Sequence, residues 1–496
     1  MQRSKFCLLL NFEFWVLSFT LLPGCASAPP RRAESTPPAL TRFRAEILAA
    51  TQLPGVSRGS WGIVVHSLDR NERLLELNAR TLFVPASIAK LVSVATAADA
   101  VGWDYRFETT LRTTAPVVDG VLRGDLLVVG SGDPSIGGRG GDDLAGFVAA
   151  VTQAGIRRIE GRIVGDDDAV EEPRPQRAWA WDDLGYTNGA VFGALNLAEN
   201  RTVVTVAPAS AEGLPTTVGF PSRASPPVVN RSVTGPARSQ QLLWPEQRPG
   251  ESSLTIAGSI PVGASPADIG IAVGNPTLWF AAVLRTRLLE AGIDISGDAA
   301  DVDDLRPPPD RTSGTVLFTY RSRTLAEIAR PLLKESINLY GEALMRLNAD
   351  RGTFPTNDAA LEGLRRRLRS WGIADDSCQL VDGSGLSRRD AISPDALVIV
   401  LQRMFDASAA SPFMAALPIA GTDGSLETRM KGTAAQGSVR AKTGTMSNIR
   451  SLAGYATTRS SERLAFVIVV NNFEGTGAEA NQAVDAIAVR VAEFAR

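Results

Sequence analysis

The chain has 496 residues, 51 basic against 53 acidic side chains, three cysteines and a single histidine. A net charge of −2 offers no basic footprint, so nucleic acid is excluded as a partner, and one histidine leaves Zn, Fe or Cu sites almost without ligands. No metal and no cofactor is expected, and a Ser-His-Asp engine would have to use His66. Only five of the cations are lysine (Lys5, Lys90, Lys334, Lys431 and Lys442), the other 46 being arginine. A lysine in such a chain points to a need for a compact, titratable amine, because arginine does not give up its proton.

At the N-terminus Arg3 and Lys5 precede a clean apolar run from Phe14 to Leu22, followed by Leu22-Pro23-Gly24-Cys25. That is the order of a signal peptide, and the run is far short of the ~20 residues that span a membrane. Two exits compete. One is a lipobox ending at Cys25, whose thiol would be lipidated; the other is cleavage after Ala26-Ser27-Ala28. The expectation is an exported, periplasmic protein with residues 1–25 as a lipoprotein-type signal, touching membrane only through a lipid or signal anchor. Residues 26–41 read as a Pro-rich extended tether. Cys378 is then the one ordinary thiol left, so no internal disulfide is possible.

Arg42 to Ala50 has helical spacing. Trp61–Leu68 and Arg73–Asn78 alternate as the strands of a hairpin, with His66 as a packed strand residue. Pro85-Ala86-Ser87 leads into an Ala-rich helix from Ile88 to Val101, ended by Gly102. From about residue 108 short strands (Leu126–Val129, Arg162–Val164, Val203–Val206) alternate with Gly, Pro and Ser turns. Helical signal is sparse there until Pro276–Gly292, with Gly292 as its cap. After Arg306-Pro307-Pro308-Pro309 come a long helical region, Leu325–Arg346, and another, Asp358–Gly372. Leu452–Tyr455 and Leu464–Val470 read as paired central strands. The pattern is a helix-and-sheet body split by a roughly 200-residue β-rich insertion.

Three short motifs carry the chemistry, each found once. Ser87-Ile88-Ala89-Lys90 places a hydroxyl at a helix start and an amine one turn later, on the same face. A serine is a poor nucleophile until a base takes its proton, and a desolvated lysine can be that base. Ser336-Ile337-Asn338 lies in the long helical region, and Lys442-Thr443-Gly444-Thr445 precedes a strand-like stretch. Lys442 can hold a carboxylate, the threonines add donors, and Gly444 is read as letting a substrate approach the backbone closely.

Together, in this order, the motifs resemble those of the active-site-serine penicillin-binding acyl transferases. The long gap from Lys90 to Ser336 is similar to the class C penicillin-binding proteins, the D-alanyl-D-alanine carboxypeptidases/endopeptidases of peptidase family S13. Gly130-Ser131-Gly132-Asp133-Pro134, Trp181-Asp182-Asp183-Leu184, Asp382 to Arg388, Leu417 to Gly421 and Leu452 to Tyr455 extend the resemblance from about Arg42 to the C-terminus. It implies an α+β fold: a penicillin-binding/serine β-lactamase-like body, an antiparallel sheet flanked by helices, with a large β-rich nested insertion. The implied domains are a catalytic 42–107 with 318–496, an inserted 108–135 with 223–317, and a nested 136–222.

The resemblance further implies an acyl-enzyme on peptidoglycan stem peptides, trapped by β-lactams. Ser87 would be the nucleophile, Lys90 its base, Ser336 a proton relay and Asn338 a holder of the substrate amide. Lys442, Thr443, Gly444 and Thr445 would bind the terminal carboxylate, with the N–H groups of Ser87 and Thr445 as oxyanion hole. Asp183 would face the free amine of diaminopimelate, and Arg388 would lie near the site. Alternatives on the same fold are a catalytically silent cell-wall-binding lipoprotein and a serine β-lactamase.

Overall fold

The computed structural model describes residues 38–496 except 140, 173, 177, 221–225, 249–252, 311–313 and 406–410. The expected signal segment and Cys25 lie outside the described residues. The tether ends sooner than expected: helix α1 is Pro38–Ala50, so its first turn takes up the last four tether residues. A proline fits a first helical turn because the N–H it lacks would have no partner there. Leu40, Phe43 and Ile47 then bury one face.

The hairpin forms as β1 (Ser60–Ser67) and β2 (Glu72–Leu77), with a register shift between Val65 and His66. It joins three C-terminal strands, β3 (Val439–Met446), β4 (Ile449–Thr457) and β5 (Arg463–Asn471). The order is β2-β1-β5-β4-β3, every pair antiparallel. The continuous apolar run of β5 follows from burial on both faces. Ala465, Val467 and Val469 pack into one core, while Phe466, Ile468 and Val470 pack into the other. Each large side chain buried this way contributes roughly 1.5–3 kcal/mol.

Helix α2 (Ala89–Val101) lies in the first core, buried from Ala89 through Ala98. Its alanines, serine and threonine leave room for other helices to close on it. Those are α5 (Leu325–Glu335), α6 (Asn338–Arg346), α7 (Asn357–Ser370) and α8 (Pro394–Met404), once α3 (Leu144–Gln153) and α4 (Pro276–Glu290) of the insertion are counted. The short α9 (Pro412–Ala416) packs on α5. The C-terminal α10 (Gly477–Glu493) covers the opposite face with α1. His66 is buried, its Nε2 facing Gln402 of α8.

Among the described residues the insertion holds two main cores, besides a small cluster of Leu127, Val164 and Val302, and their limits differ from those expected. Strands Glu108–Thr113, Leu126–Val129, Ile163–Asp166, Ala299–Asp301 and Val316–Arg321 form one sheet, packed against α3 and α4 around Phe147, Phe280 and Leu284. The expected return to the body at 318 therefore falls inside a strand: Val316–Arg321 pairs with Glu108–Thr113. Nor is 136–222 the nested unit. Strands between Arg201 and Ala272 enclose their own small core of Val204, Val206, Ile256, Ile260 and Ile271. Helix α3, which the sequence pattern did not signal, belongs to the first sheet. It is short and carries Gly146, a poor helix former kept because a Cβ there would press on the Phe318 ring at 3.1 Å.

The long region Leu325–Arg346 is two helices. Helix α5, opened by a Thr324/Glu327 capping box, stops at Ser336, whose φ of 66° is left-handed, and α6 begins at Asn338. The break falls on the second motif.

Candidate active site

Ser87 stands on a single 3₁₀ turn, Ala86–Ile88, that runs into α2. The turn is strained: Ala86 has φ +51°, a region that costs a residue with a Cβ roughly 1–2 kcal/mol. Three distant segments hold it. Asn471 on β5 brackets Val84, accepting from its N–H at 2.9 Å and donating to its carbonyl at 3.1 Å. Ser451 on β4 donates to the Pro85 carbonyl at 2.7 Å. Gly385, with φ +77°, lies so close that a Cβ would sit 2.1 Å from the Ala86 oxygen.

Gly444 has the same duty. A Cβ there would meet Ser451 Oγ at 2.1 Å and the Pro85 oxygen at 2.7 Å. The glycine admits the Ser87 turn and its hydrogen bond to Ser451. The third motif lies within β3 and, as expected, precedes a further strand, β4.

The Lys90 amine is fully buried and donates to Ser87 Oγ at 2.9 Å, Asn338 Oδ1 at 2.7 Å and the Ser384 carbonyl at 2.6 Å. Burial lowers its pKa to about 8 against the opposing pull of Asp382, Glu342 and Asp390. The Lys442 amine, also fully buried, donates to Ser336 Oγ at 2.9 Å and to the Thr443 carbonyl at 2.8 Å. Burial, then the charge of Lys90, hold it well below the usual amine range. Thr443 Oγ1 donates to Ser425 Oγ at 2.8 Å, while Thr445 is exposed at the cleft. Lys334, unassigned in the sequence, pairs with Asp423 at 2.5 Å and so ties α5 to the turn that carries Ser425. Lys431 is exposed.

Ser87, Ser336, Asn338 and Thr445 line one cleft of about 410 Å³. The insertion reaches it through the turn Thr187–Gly189, where the Asn188 carbonyl accepts from Asn338 Nδ2 at 2.8 Å. One wall went unforeseen. Arg139 bridges the buried Glu199 at 2.7 Å and Glu335, the residue before Ser336, and Arg201 meets Glu199 at 2.8 Å. No sequence motif marks that wall, because the two ion pairs of Arg139 join residues distant along the chain. Asp183 and Arg388 stand outside the cleft lining. Asp183 is half-buried on the turn Trp181–Asp183, and burial raises its pKa while the nearby Arg388 lowers it. Arg388 is exposed and donates to the Ser447 carbonyl at 3.3 Å. Ser384 was within reach of the sequence: it sits in the Asp382–Arg388 segment already noted.

A hydroxyl, two desolvated amines and a bridging amide around an open cleft define an active-site-serine acyl transferase. The fold agrees. Penicillin-binding protein 4 (dacB) from Haemophilus influenzae superposes with a TM-score of 0.78 at 23% identity, over 90% of this chain and 99% of that one. The same protein complexed with a novel β-lactam gives 0.74 at 22% identity, over 90% and 100%. The D-Ala-D-Ala carboxypeptidase 3 (S13) family model matches residues 43–494. A D-alanyl-D-alanine carboxypeptidase from Actinomadura sp. (strain R39) is 33% identical over 494 residues, 97% of this chain and 89% of the relative. The chain belongs to the D-Ala-D-Ala carboxypeptidase 3 (S13) family and is a serine peptidase.

Proposed function

We propose that the chain hydrolyses the D-alanyl-D-alanine ends and D,D-cross-links of peptidoglycan stem peptides through an acyl-enzyme on Ser87, which β-lactams trap. One observation carries the reading: the three bonds of the Lys90 amine. A neutral amine has two N–H groups and one lone pair. Asn338 Oδ1 and the Ser384 carbonyl can only accept, so they take both N–H groups and leave the lone pair facing the Ser87 hydroxyl.

Lys90 then takes the proton as Ser87 Oγ bonds to the carbonyl carbon of the penultimate D-alanine. The backbone N–H groups of Ser87 and Thr445 receive the oxyanion, each worth about 3 kcal/mol. The C–N bond breaks as the proton passes by way of Ser336 to the leaving amine. Lys442, with Thr443 and Thr445, takes the terminal carboxylate, an anion that would restore the amine's charge. Asn338 holds the substrate amide, and water releases the peptide. Asp183 faces the free amine of the stem, with Arg388 beside it.

The Arg3/Lys5 n-region, the apolar run and Cys25 support export to the periplasm with a lipid anchor. No helix among the described residues is long and apolar enough to cross a membrane. A lipoprotein signal-peptidase inhibitor should then accumulate a larger precursor, whereas unchanged mobility favours cleavage after Ala28. The central test is digestion of purified muropeptides, in which released D-alanine and resolved cross-links are both expected. Rapid turnover of nitrocefin in place of stoichiometric trapping would identify a β-lactamase instead.

A further inference from the structure

Lys90 is oriented by a carbonyl, and a carbonyl is only as well placed as its turn. Asp382 shapes that turn. Its side chain is fully buried and accepts four N–H bonds. Oδ1 takes those of Ser384 at 3.0 Å and Gly385 at 2.6 Å, and Oδ2 takes those of Ser387 at 2.8 Å and the Trp179 indole at 2.8 Å. Among the described residues it makes no ion pair, so these donors and the Lys90 charge are what sustain a buried carboxylate. Its neighbour Asp390 is pushed well above the carboxylate range by burial and by Asp382, so Asp390 keeps its proton. The turn is also held from α2, where Ser93 Oγ donates to the Gly383 carbonyl at 2.6 Å, and from α6, where Glu342 accepts from the Gly383 N–H at 3.1 Å.

Trp179 comes from the insertion. Ala178 before it has φ +78°, and its carbonyl accepts from Ser387 Oγ at 3.3 Å. Trp179 packs with Leu184 and Leu386, and Asp183 follows four residues on. The indole bond therefore joins the segment carrying Asp183 to the carboxylate that sets the Ser384 carbonyl.

We propose that Asp382 is a positioning residue for acyl transfer: through the Ser384 carbonyl it aims the Lys90 lone pair at Ser87, and through Trp179 it ties that aim to the inserted segment bearing Asp183. The proposal rests on the reading of Ser87 as nucleophile and Lys90 as base. In Asp382→Asn either orientation of the amide turns an NH2 group towards two N–H donors, and the charge is lost as well.

The test measures acylation by a fluorescent penicillin, and D-alanine release from muropeptides, across pH, in wild type, Ser87→Ala, Asp382→Asn and Trp179→Phe. Label surviving in Ser87→Ala sinks the underlying reading whatever the other variants do. Asp382→Asn is expected to acylate roughly 30-fold more slowly with KM little changed. Its acid limb should also move to lower pH, since Lys90 loses the strongest of the charges raising its pKa while Glu342 and Lys442 remain and Asp390 is protonated. Trp179→Phe keeps the charge and most of the packing, and should lower kcat about fivefold with the limb unmoved. A merely structural role reduces the fraction that labels and the melting temperature but leaves the limb in place. A wild-type kcat in Trp179→Phe, or an Asp382→Asn protein with wild-type rate and limb, overturns the proposal. Should Asp382→Asn fail to fold, Trp179→Phe decides.

Discussion

The body and the insertion meet at one cleft but contribute to it by different means. On the body side every reactive group is buried or pinned by several chain segments. Lys90 and Lys442 are fully buried, the Ser87 turn is held from β4, β5 and the Gly385 turn, and the Ser336 break lies between two helices. The insertion offers an ion-paired wall of Arg139, Glu199 and Arg201 and the Asn188 carbonyl at the cleft, with the Trp179 indole and the half-buried Asp183 outside its lining. Rigid, dry surroundings suit bond-making steps, while groups at a wetter rim suit recognition. Changes in the body should thus impair every acyl donor, and changes in the insertion should separate one substrate from another.

The sharpest break would come from Ser87→Ala, which should label with fluorescent penicillin at least about 10⁴-fold more slowly than wild type. Comparable labelling would remove the nucleophile from the body. Lys90→Met deletes the proposed base and should cost about 10³-fold in acylation of penicillin and peptide alike, read by stopped flow. The same amine sets a pH dependence. Its pKa is lowered to about 8, so below that value the protonated form dominates and acylation should fall about tenfold per pH unit, levelling off above it. A profile flat from pH 6 to 9 would contradict an amine base.

Gly444→Ala tests the packing of the body rather than its chemistry. With a Cβ 2.1 Å from Ser451 Oγ, the strands or the Ser87 turn must shift, costing about 1–3 kcal/mol of stability. Calorimetry should find a lower melting temperature, accompanied by slower acylation. The smallest effect is expected in the insertion. Asp183→Asn should lower kcat/KM about fivefold for a stem peptide with a free side-chain amine, yet leave penicillin acylation as it was. Equal losses for both would erase the distinction between the two regions.

Local chemistry was readable wherever spacing along the chain equals proximity in space. Ser87 and Lys90 are one helical turn apart, and the hairpin, the paired strands β4 and β5 and the helix from Pro276 follow from periodicity and caps. Misreadings arose where a distant segment decides. Apolar spacing runs through Ser336, yet the chain turns left-handed there and starts a second helix at Asn338. Gly146 carries no label for the atoms it admits. The inserted strands are short and lack strong alternation, so their grouping around two main cores, and hence the limits of 136–222 and 318, depended on pairing between residues far apart.

From the sequence alone came the kinds of atoms available: a serine, lysines scarce enough to be conspicuous, one histidine and three motifs in order. Tertiary structure decided how those atoms are held. Desolvation that lowers an amine to about 8, a lone pair left over after two acceptors are served, and a carboxylate wired to an indole some 200 residues away are properties of a packed, low-dielectric interior. No stretch of chain possesses them before the strands at its two ends have joined into one sheet.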